Sequence, residues 1–306
     1  MRLVYMGTPD IARVCLQKLY EAGFEIAGVY TKPDTPKNRG MKLAQSEVKE
    51  YAVSVGLPVY QPATFKDDAV YEELRSLAPD LIVVVAYGKI LPQRVLDIPR
   101  YGCINMHASI LPELRGAGPV QWSILNHCDE TGVTAMYLTA GMDEGDIIEI
   151  RKTPIEPMET SSELMERLAD IAAELACDTV RAIENGTAVR TPQDNARATY
   201  APMLSKDMSP IDWSGTAREV IDHVRGLIPW PVATTELDGK KFKIFRVERT
   251  ENRTDRAPGT LLRLTKQGLE IACGDGVLCI TQLQAEGGKR MAAADYFRGH
   301  PIRIEG

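Results

Sequence analysis

A run of apolar residues around residue 80, "DLIVVVAYG", constrains the fold more than any other feature of this sequence. Five apolar side chains in succession, Leu81 to Val85, leave no side of a strand for solvent, which is typical of a central parallel strand buried on both faces. Other strand-like segments alternate along the chain with segments of helical spacing. The predicted strands include "LVYMG", "EIAGVYT", "LPVYQP" and "GCINMHA", and the predicted helices span 10–23, 44–55 and 67–77. This order predicts a doubly wound, Rossmann-like open α/β sheet, which binds ligands at the carboxyl ends of its strands.

The chain changes character after residue 187. A long helix predicted at 161–185 completes a first domain, 1–187, and residues 188–206 lack any periodicity and are interpreted as a linker. From 207 to 306 a short helix precedes alternating segments separated by turn signals at roughly ten-residue spacing. This second pattern predicts a small antiparallel β-barrel domain of the OB-like kind.

Composition excludes several classes of protein. The 306 residues are 44% hydrophobic and 25% charged, and no apolar run approaches the roughly 18 residues of a membrane span. The chain opens directly on a strand, so we expect no signal peptide. Six cysteines without CxxC spacing fit reduced thiols in a cytoplasmic protein, and four histidines in no ligand pattern predict no metal site.

The net charge of −6 is unevenly distributed. Residues 1–206 hold 21 Lys and Arg against 28 Asp and Glu, whereas 207–306 hold 15 against 14. Nine basic side chains lie within 240–266, here called the basic strip. A basic strip on an acidic protein suggests a polyanionic partner, but a solvated face of a small β domain explains the same charges equally well.

Polar side chains end the strand in "GCINMHASILPELRG", residues 102–116. Because side chains two apart on a strand face the same way, Asn105, His107 and Ser109 are predicted to line one side. An amide and an imidazole at the carboxyl edge of a parallel sheet could hold a carbonyl oxygen as it becomes an oxyanion. Taken alone, an Asn-x-His at a strand end is more often a satisfied polar edge than a catalytic site.

A Gly-bounded turn, "GMDEGDII" at 141–148, exposes Asp143 and two further carboxylates between two predicted strands. A carboxylate beside an imidazole orients the ring and favours its charged form. Asp in such a turn is usually turn chemistry only, and the sequence does not show whether Asp143 meets His107.

A dinucleotide-binding enzyme is disfavoured. The first strand ends in "MGTPDIA", where Pro9 and Ala12 stand at positions that a Gly-rich fingerprint would fill with glycine. The second strand ends in Thr31 and Lys32, with no carboxylate for a ribose hydroxyl. The sequence also lacks a GxSxG nucleophile motif.

Three stretches, "YMGTPDIA", "INMHASILPELRGAGPVQWSI" and "ETGVTAMYLTAGMDEGDII", resemble the formyltransferases that use 10-formyltetrahydrofolate. The resemblance implies catalytic roles for Asn105, His107 and Asp143, with 10-formyltetrahydrofolate as the formyl-donor cosubstrate and no metal. It also implies a folate site built from two loops. Their residues are Tyr87, Gly88, Ile90 and Leu91 in the first, and Ser109, Ile110, Leu111 and Pro112 in the second, where Ile110 replaces the usual Leu.

Further stretches are similar to the members of this family that formylate charged initiator methionyl-tRNA. They are "TKPDTPKNRGMKL" after the second strand, "TYAPMLSKDMSPIDWS" in the linker, and "LIPWPVATTELDGKKFKIF" in the second domain. The resemblance therefore implies a cytoplasmic, monomeric enzyme of translation initiation that does not act at a membrane. The implied tRNA-binding residues are Lys32, Lys37, Arg39 and Lys42 in the first of these stretches and Lys240, Lys241 and Lys243 in the basic strip.

Two alternatives remain at this stage. A nucleotide-sugar formyltransferase would use the same Asn, His and Asp, and the catalytic motifs alone would also fit a glycinamide ribonucleotide formyltransferase. A catalytically idle folate- or RNA-binding protein would keep the same loops without turnover.

Overall fold

A computed structural model of the chain describes residues 1–37 and 42–304. Its strands are β1 (Arg2–Gly7), β2 (Glu25–Tyr30), β3 (Thr35–Lys37), β4 (Lys42–Ala44), β5 (Val59–Tyr60), β6 (Leu81–Val85), β7 (Cys103–His107), β8 (Glu130–Tyr137), β9 (Ile147–Pro154), β10 (Ala233–Leu237), β11 (Lys240–Arg249), β12 (Leu261–Leu264), β13 (Leu269–Cys273), β14 (Gly276–Ala285) and β15 (Met291–Ala292). Its α-helices are α1 (Asp10–Glu21), α2 (Glu47–Ser54), α3 (Asp68–Ser76), α4 (Gln93–Leu96), α5 (Pro119–Leu125), α6 (Ser161–Glu184), α7 (Ala217–Gly226) and α8 (Ala293–Gly299).

The chain forms two compact units that do not follow the predicted boundaries at 187 and 206. The first unit comprises Met1–Pro119, Glu130–Pro154 and Met165–Ala201, and the second comprises Val120–Asp129, Ile155–Leu164 and Pro202–Gly306. Residues 188–201 belong with the first unit because they pair with its loops. Thr191 and Ile147 exchange two backbone hydrogen bonds of 2.8 and 2.9 Å, and Ala201 donates its N–H to the carbonyl of Arg115 at 2.7 Å.

Residues 120–129 belong with the second unit because charged side chains of α7 hold them. Asp222, which is 2% exposed, lies 2.7 Å from Nδ1 of His127. Arg218 donates to the carbonyl of His127 and to the carboxylate of Asp129, both at 2.6 Å. These contacts are far apart in sequence, so periodicity could not reveal them.

The first unit contains a seven-stranded sheet in the order β5-β2-β1-β6-β7-β8-β9. The strands from β5 to β7 are parallel, whereas β8 and β9 extend the sheet as antiparallel neighbours. All five residues of β6 are buried, as expected for a strand covered on both faces. The predicted Rossmann-like α/β sheet is confirmed, and β7 ends at the carboxyl edge of its parallel part.

The second unit contains an antiparallel sheet in the open order β10-β11-β14-β13-β12, with β15 paired to β14. Helix α7 packs its buried Ala217, Val220 and Val224 into the apolar cluster formed with this sheet. The helix begins at a capping box in which Thr216 and Glu219 satisfy each other's backbone N–H groups. The predicted antiparallel β domain with its preceding short helix is confirmed.

The strands β3 and β4, which follow β2, pair as a short hairpin. Its base is held by Asp34, which lies 2.6 Å from the ammonium of Lys49 and 2.7 Å from the side-chain amide of Gln61. Lys49 is the largest cause that lowers the pKa of Asp34. Arg39 and the side chains of Lys37 and Lys42 lie outside the described residues.

Candidate active site

The polar end of β7 carries two of the three residues predicted to share a face. Asn105 is half-buried and lies between Val84 of β6 and Met136 of β8, while His107 is 5% exposed and lies opposite Thr134 of β8. Ser109 lies beyond the end of the strand, so the predicted alignment of three residues is wrong at its last member. Its hydroxyl donates to the carbonyl of Glu113 at 2.7 Å and therefore supports the loop.

Both ring nitrogens of His107 face protein oxygens. Nε2 lies 2.9 Å from the carbonyl oxygen of Leu114, and because a carbonyl only accepts, Nε2 carries a hydrogen. Nδ1 lies 3.7 Å from Oδ2 of Asp143, which is ion-pair range and too long for a hydrogen bond. The imidazole is therefore oriented on one side by a backbone group and approached on the other by a carboxylate.

The structure brings Asp143 to His107, which the sequence did not show. Asp143 has a φ of 50°, in the left-handed region that Asp tolerates better than most residues. Its Oδ2 accepts the backbone N–H of Gly116 at 2.9 Å. Of the other acids in the turn, Asp146 pairs with Arg190 at 3.3 Å and Glu144 is exposed, so Asp143 is the carboxylate of this turn that faces the imidazole.

The second predicted folate loop is attached to the sheet through Thr134. The backbone N–H of Leu111 donates to the Thr134 hydroxyl at 3.1 Å, and that hydroxyl donates to the carbonyl of Ser109 at 2.6 Å. Leu111 is buried, while Ile110 and Pro112 are half-buried. Thr134 is the register partner of His107, so this anchor fixes the loop directly beside the catalytic candidate.

The first predicted folate loop exposes its backbone and buries the ring of Tyr87. That ring packs edge-on against Phe65 at a centroid distance of 6.1 Å, and burial raises the pKa of its hydroxyl well above the ordinary value. Gly88 has a φ of 71°, which favours glycine, and a side chain there would require the flexible end of Lys32 to move. Ile90 is 90% exposed and Leu91 is buried. A ligand at this loop would therefore meet main-chain groups and the apolar side chain of Ile90.

Two lysines lie at this loop, Lys89 within it and Lys32 against Gly88. Lys89 donates to the carbonyls of Pro62 and Ala63, the second at 2.8 Å. Burial lowers the pKa of Lys89, and the nearby charge of Lys32 lowers it further. The structure thus places Lys32, a predicted tRNA-binding residue, against Gly88 of the predicted folate site.

Sequence reasoning missed the residues that support this edge. Within the segment interpreted as a linker, the Thr199 hydroxyl accepts the backbone N–H of Leu114 at 2.9 Å, and Gln193 donates to the carbonyl of Asp143 at 2.9 Å. Arg115 is 3% exposed and binds Gln193. The one signal in the sequence was Arg115, a charged residue that directly follows the apolar Leu114 in the loop after Asn105 and His107.

The basic strip is less basic than its composition indicates. Lys240, Lys241 and Lys243 are exposed at the start of β11, which both a polyanion-binding surface and a solvated face predict. Three of the nine basic residues instead pair with carboxylates. These pairs are Arg246 with Glu248 at 2.7 Å, Arg249 with Asp275 at 3.3 Å, and Arg263 with the nearly buried Glu270 at 2.7 Å.

Within residues 1–37 and 42–304, no three His, Cys, Asp or Glu side chains are grouped so that they could hold a metal ion. None of the helices described above is both long enough and apolar enough to cross a membrane.

Solved structures with the same fold include an N-formyltransferase and the protein HypX. An N-formyltransferase from Helicobacter canadensis, crystallised with folinic acid and dTDP-3-aminofucose, has a TM-score of 0.70 at 20% identity, over 91% of this chain and 98% of its own. HypX from Aquifex aeolicus, in complex with tetrahydrofolic acid, has a TM-score of 0.68 at 18% identity. That match covers 100% of this chain, which spans about half (48%) of the HypX chain.

Sequence comparison covers both units. The family model for formyl transferase matches residues 1–180, and the model for the formyl transferase C-terminal domain matches residues 203–301. The proteins named methionyl-tRNA formyltransferase from Alkaliphilus oremlandii and Geotalea uraniireducens are 44% and 46% identical to this chain. Each match covers 99% of this chain and 97% or 96% of the relative. The chain therefore belongs to the formyltransferase family and, within it, to the methionyl-tRNA formyltransferases.

Proposed function

We propose that this chain transfers the formyl group of 10-formyltetrahydrofolate to the amino group of methionine esterified to initiator tRNA. The observation that carries the choice of acceptor is the likeness to proteins named methionyl-tRNA formyltransferase, which extends over 99% of the chain and so includes the second unit. The likeness to sugar formyltransferases, at 20% identity or less among the structures above, supports a shared fold only.

The carboxyl edge of the first unit fits a folate. Among the described hydrogen bonds, none uses the backbone N–H groups of Gly88, Ile90 or Leu91, so these donors remain open to a ligand. A pterin ring presents donors and acceptors at its edge and an apolar face, and the exposed Ile90 matches the face. The bound cosubstrate would supply the formyl carbon that the amine attacks. We propose that Tyr87–Leu91 and Ser109–Pro112 hold it.

Asn105 is the best-placed donor to the oxygen of the formyl group. Its side-chain amide has no hydrogen-bond partner among the described residues and is half-buried at the end of β7. Attack of the amine turns the formyl carbon tetrahedral and places negative charge on that oxygen. A donor fixed in advance on a rigid strand stabilises this charge without reorganisation.

His107 would act in its protonated form. Protonated imidazole carries a hydrogen on each nitrogen, and Nε2–H is already directed to Leu114. Because the Asp143 carboxylate is 3.7 Å from Nδ1, the second hydrogen is not consumed by that carboxylate and can be donated to a nearer acceptor. We propose that this acceptor is the same developing oxyanion.

Asp143 would hold His107 and receive the proton that the amine loses. Collapse of the tetrahedral intermediate would then break the bond between the formyl carbon and the folate nitrogen, and that nitrogen would leave as N–H after taking up this proton. Its Oδ2 is fixed by the N–H of Gly116, whereas no described hydrogen bond uses Oδ1. A carboxylate oxygen that is fixed in position but not saturated can serve as a proton acceptor. No covalent intermediate on the protein is needed for these steps.

The tRNA would be bound by charge. We propose that Lys32 contacts the acceptor end next to the folate loop, and that Lys240, Lys241 and Lys243 contact the backbone. The roles of Lys37, Arg39 and Lys42 rest on sequence resemblance alone. Residues 1–187 would thus serve catalysis and 207–306 tRNA binding, with 188–206 between them. We propose, from the family resemblance, that the protein acts as a monomer, and the substrate implies a cytoplasmic location.

A formylation assay tests the proposal. The purified chain is incubated with 10-formyltetrahydrofolate and either methionyl initiator tRNA or a dTDP-linked amino sugar, and formyl transfer is measured by mass spectrometry. We expect transfer to the tRNA and none to the sugar. Transfer to the sugar alone would show that the acceptor is an amino sugar and not methionyl-tRNA. Binding of folate without any transfer would show that the chain is a binding protein without catalytic activity.

A further inference from the structure

Gln193 uses its whole side-chain amide within the first unit. Its Nε2 donates to the carbonyl oxygens of Asp143 at 2.9 Å and Gly145 at 2.8 Å. Its Oε1 accepts from Nε of Arg115 at 3.1 Å and from Nη2 at 2.7 Å. A primary amide has two N–H donors and two acceptor lone pairs, so all four are engaged. Gln193 is therefore a connector between Arg115 and the turn that carries Asp143.

Arg115 is a buried cation held by neutral groups. It is 3% exposed, and its Nη2 also donates to the side-chain carbonyl of Asn195 at 2.7 Å. Within the described ranges, no carboxylate lies at ion-pair distance from its guanidinium. Burying a cation without a carboxylate is costly unless its N–H groups are satisfied. The amide oxygens of Gln193 and Asn195 do this for Nε and Nη2.

The two chain segments joined by Gln193 are the same two that set the catalytic pair. Leu114 holds the imidazole of His107 through its carbonyl, and Gly116 holds the carboxylate of Asp143 through its N–H. Arg115 lies between these two residues in sequence. Gln193 links Arg115 back to the carbonyl of Asp143, which closes a ring of contacts around the 3.7 Å gap between Nδ1 and Oδ2.

We infer that Gln193 is a positioning residue, which fixes the Asp143 turn relative to His107 through Arg115. The inference rests on the proposed function in one respect: formyl transfer is the reaction in which the effect of Gln193 is measured. A left-handed residue in a short turn needs such support, because its φ of 50° is not the conformation it would adopt alone. A shift of about 1 Å in a catalytic group can lower turnover by about 10²-fold.

Replacement of Gln193 by Glu separates positioning from simple support of Arg115. Gln193→Glu keeps the oxygen that binds Arg115, and its charge complements the buried cation. At neutral pH it has no N–H for the carbonyls of Asp143 and Gly145, which then face a carboxylate. If Gln193 only satisfies Arg115, this variant is fully active; if it positions Asp143, the variant folds normally and is slow.

The experiment measures kcat and KM for formyl transfer to methionyl-tRNA, slow hydrolysis of 10-formyltetrahydrofolate without tRNA, and the thermal midpoint. The variants are Gln193→Glu, Gln193→Met, Asp143→Asn and the Q193E/D143N double variant. Gln282→Glu is the matched control, because Gln282 accepts from Nε and Nη2 of Arg290 at 3.1 and 2.6 Å in the second unit. Its amide oxygen accepts from an arginine in the same way, and Gln282 is not among the residues proposed to act in catalysis or binding.

We expect Q193E to lower kcat about 10- to 100-fold, with KM for folate within about twofold of wild type. In the D143N background, Gln193→Glu should lower kcat by less than about threefold, because the carboxylate that Gln193 positions is already absent. Q282E should keep wild-type kcat. Wild-type kcat in Q193E, or equal losses with and without D143N, would overturn the inference.

Failure of the proposed function gives a different result. If the wild-type chain hydrolyses 10-formyltetrahydrofolate but does not formylate methionyl-tRNA, the proposed acceptor is wrong. The Gln193 comparison then still decides through the hydrolysis rates. If Q193M alone fails to fold while Q193E keeps wild-type rates, Gln193 serves Arg115 only and the inference fails.

Discussion

The polar edge of the first unit and the basic face of the second unit use charge in opposite ways. At the edge, His107 and Arg115 are 5% and 3% exposed. Nε2 of His107 faces the carbonyl of Leu114, and Nε and Nη2 of Arg115 donate to side-chain amides. On β11, Lys240, Lys241 and Lys243 are exposed to solvent. At the polar edge, protein contacts fix the positions of the charged side chains. On β11, the described residues do not hold the lysine ammonium groups in place.

This difference predicts how each region responds to substitution. Groups that stabilise a transition state act through their position, so the loss of one donor changes turnover steeply. Exposed cations act on a polyanion through the number of charges, so each loss has a small and nearly equal effect that salt weakens.

The largest effect is expected at Asn105. Asn105→Ala should lower turnover by about 10²-fold or more, because it removes the donor proposed to stabilise the formyl oxygen, while folate affinity changes little. His107→Ala should have a similar effect, and the double variant should lose less than the product of the two. Steady-state kinetics with folate binding by calorimetry checks this. Asn126→Ala, an exposed Asn in the second unit, is the control; full activity in N105A would remove the proposed oxyanion site.

A smaller loss, about 10- to 100-fold, is expected for Asp143→Asn. The amide oxygen can still accept the N–H of Gly116, so the turn keeps its shape, but the charge beside His107 is lost. The pH–rate profile should therefore change form together with the rate. Asp146→Asn is the matched control, since Asp146 lies in the same turn and pairs with Arg190. An unchanged rate and profile in D143N would reduce Asp143 to a turn residue.

The second unit should respond through salt dependence. Changing Lys240, Lys241 and Lys243 to Gln should weaken tRNA binding and reduce the slope of log affinity against log salt by up to about 0.9 per lost contact. Hydrolysis of 10-formyltetrahydrofolate without tRNA should be unchanged. Titrations at several salt concentrations measure this, with Lys18, Lys66 and Lys152 changed to Gln as the charge-matched control. A wild-type slope in the first variant would exclude this face as an RNA platform.

The smallest effect concerns pH and stability in the second unit. Burial lowers the pKa of His223 below its ordinary value of 6.5, so the unfolded chain binds its proton more readily than the folded chain. Stability should therefore be fully present above pH 6.5 and should fall as the pH drops below that value towards the folded pKa. His223→Gln should make this fall shallower.

Tryptophan fluorescence during urea unfolding measures this effect, because Trp122, Trp213 and Trp230 all belong to the second unit. His300→Gln, at an exposed site, is the control. If H223Q and the wild type lose stability in parallel between pH 7 and 5, His223 does not contribute.

Local signals determined much of the first unit. The apolar run of β6 predicted a strand buried on both faces, and all five of its residues are buried. The spacing from residue 10 predicted a helix that the structure places at Asp10–Glu21. The alternation at the end of β7 put Asn105 and His107 on one face, because neighbouring residues of a strand point to opposite sides whatever surrounds them. It did not extend to Ser109, because the strand had already ended.

Only the tertiary structure decided which groups meet. Asp143 faces His107 because the turn after β8 returns to the end of β7, and Gln193 supports that turn from a segment whose sequence is typical of a linker. Periodicity and propensity report contacts within an element, whereas these contacts join residues on separate elements. The same limit applies to charge. The sequence has nine basic residues in the basic strip, and in the folded chain three of them form ion pairs with carboxylates. The sequence by itself therefore determined the fold class and the chemistry available at the strand end, and the folded chain determined the distances at which that chemistry can operate.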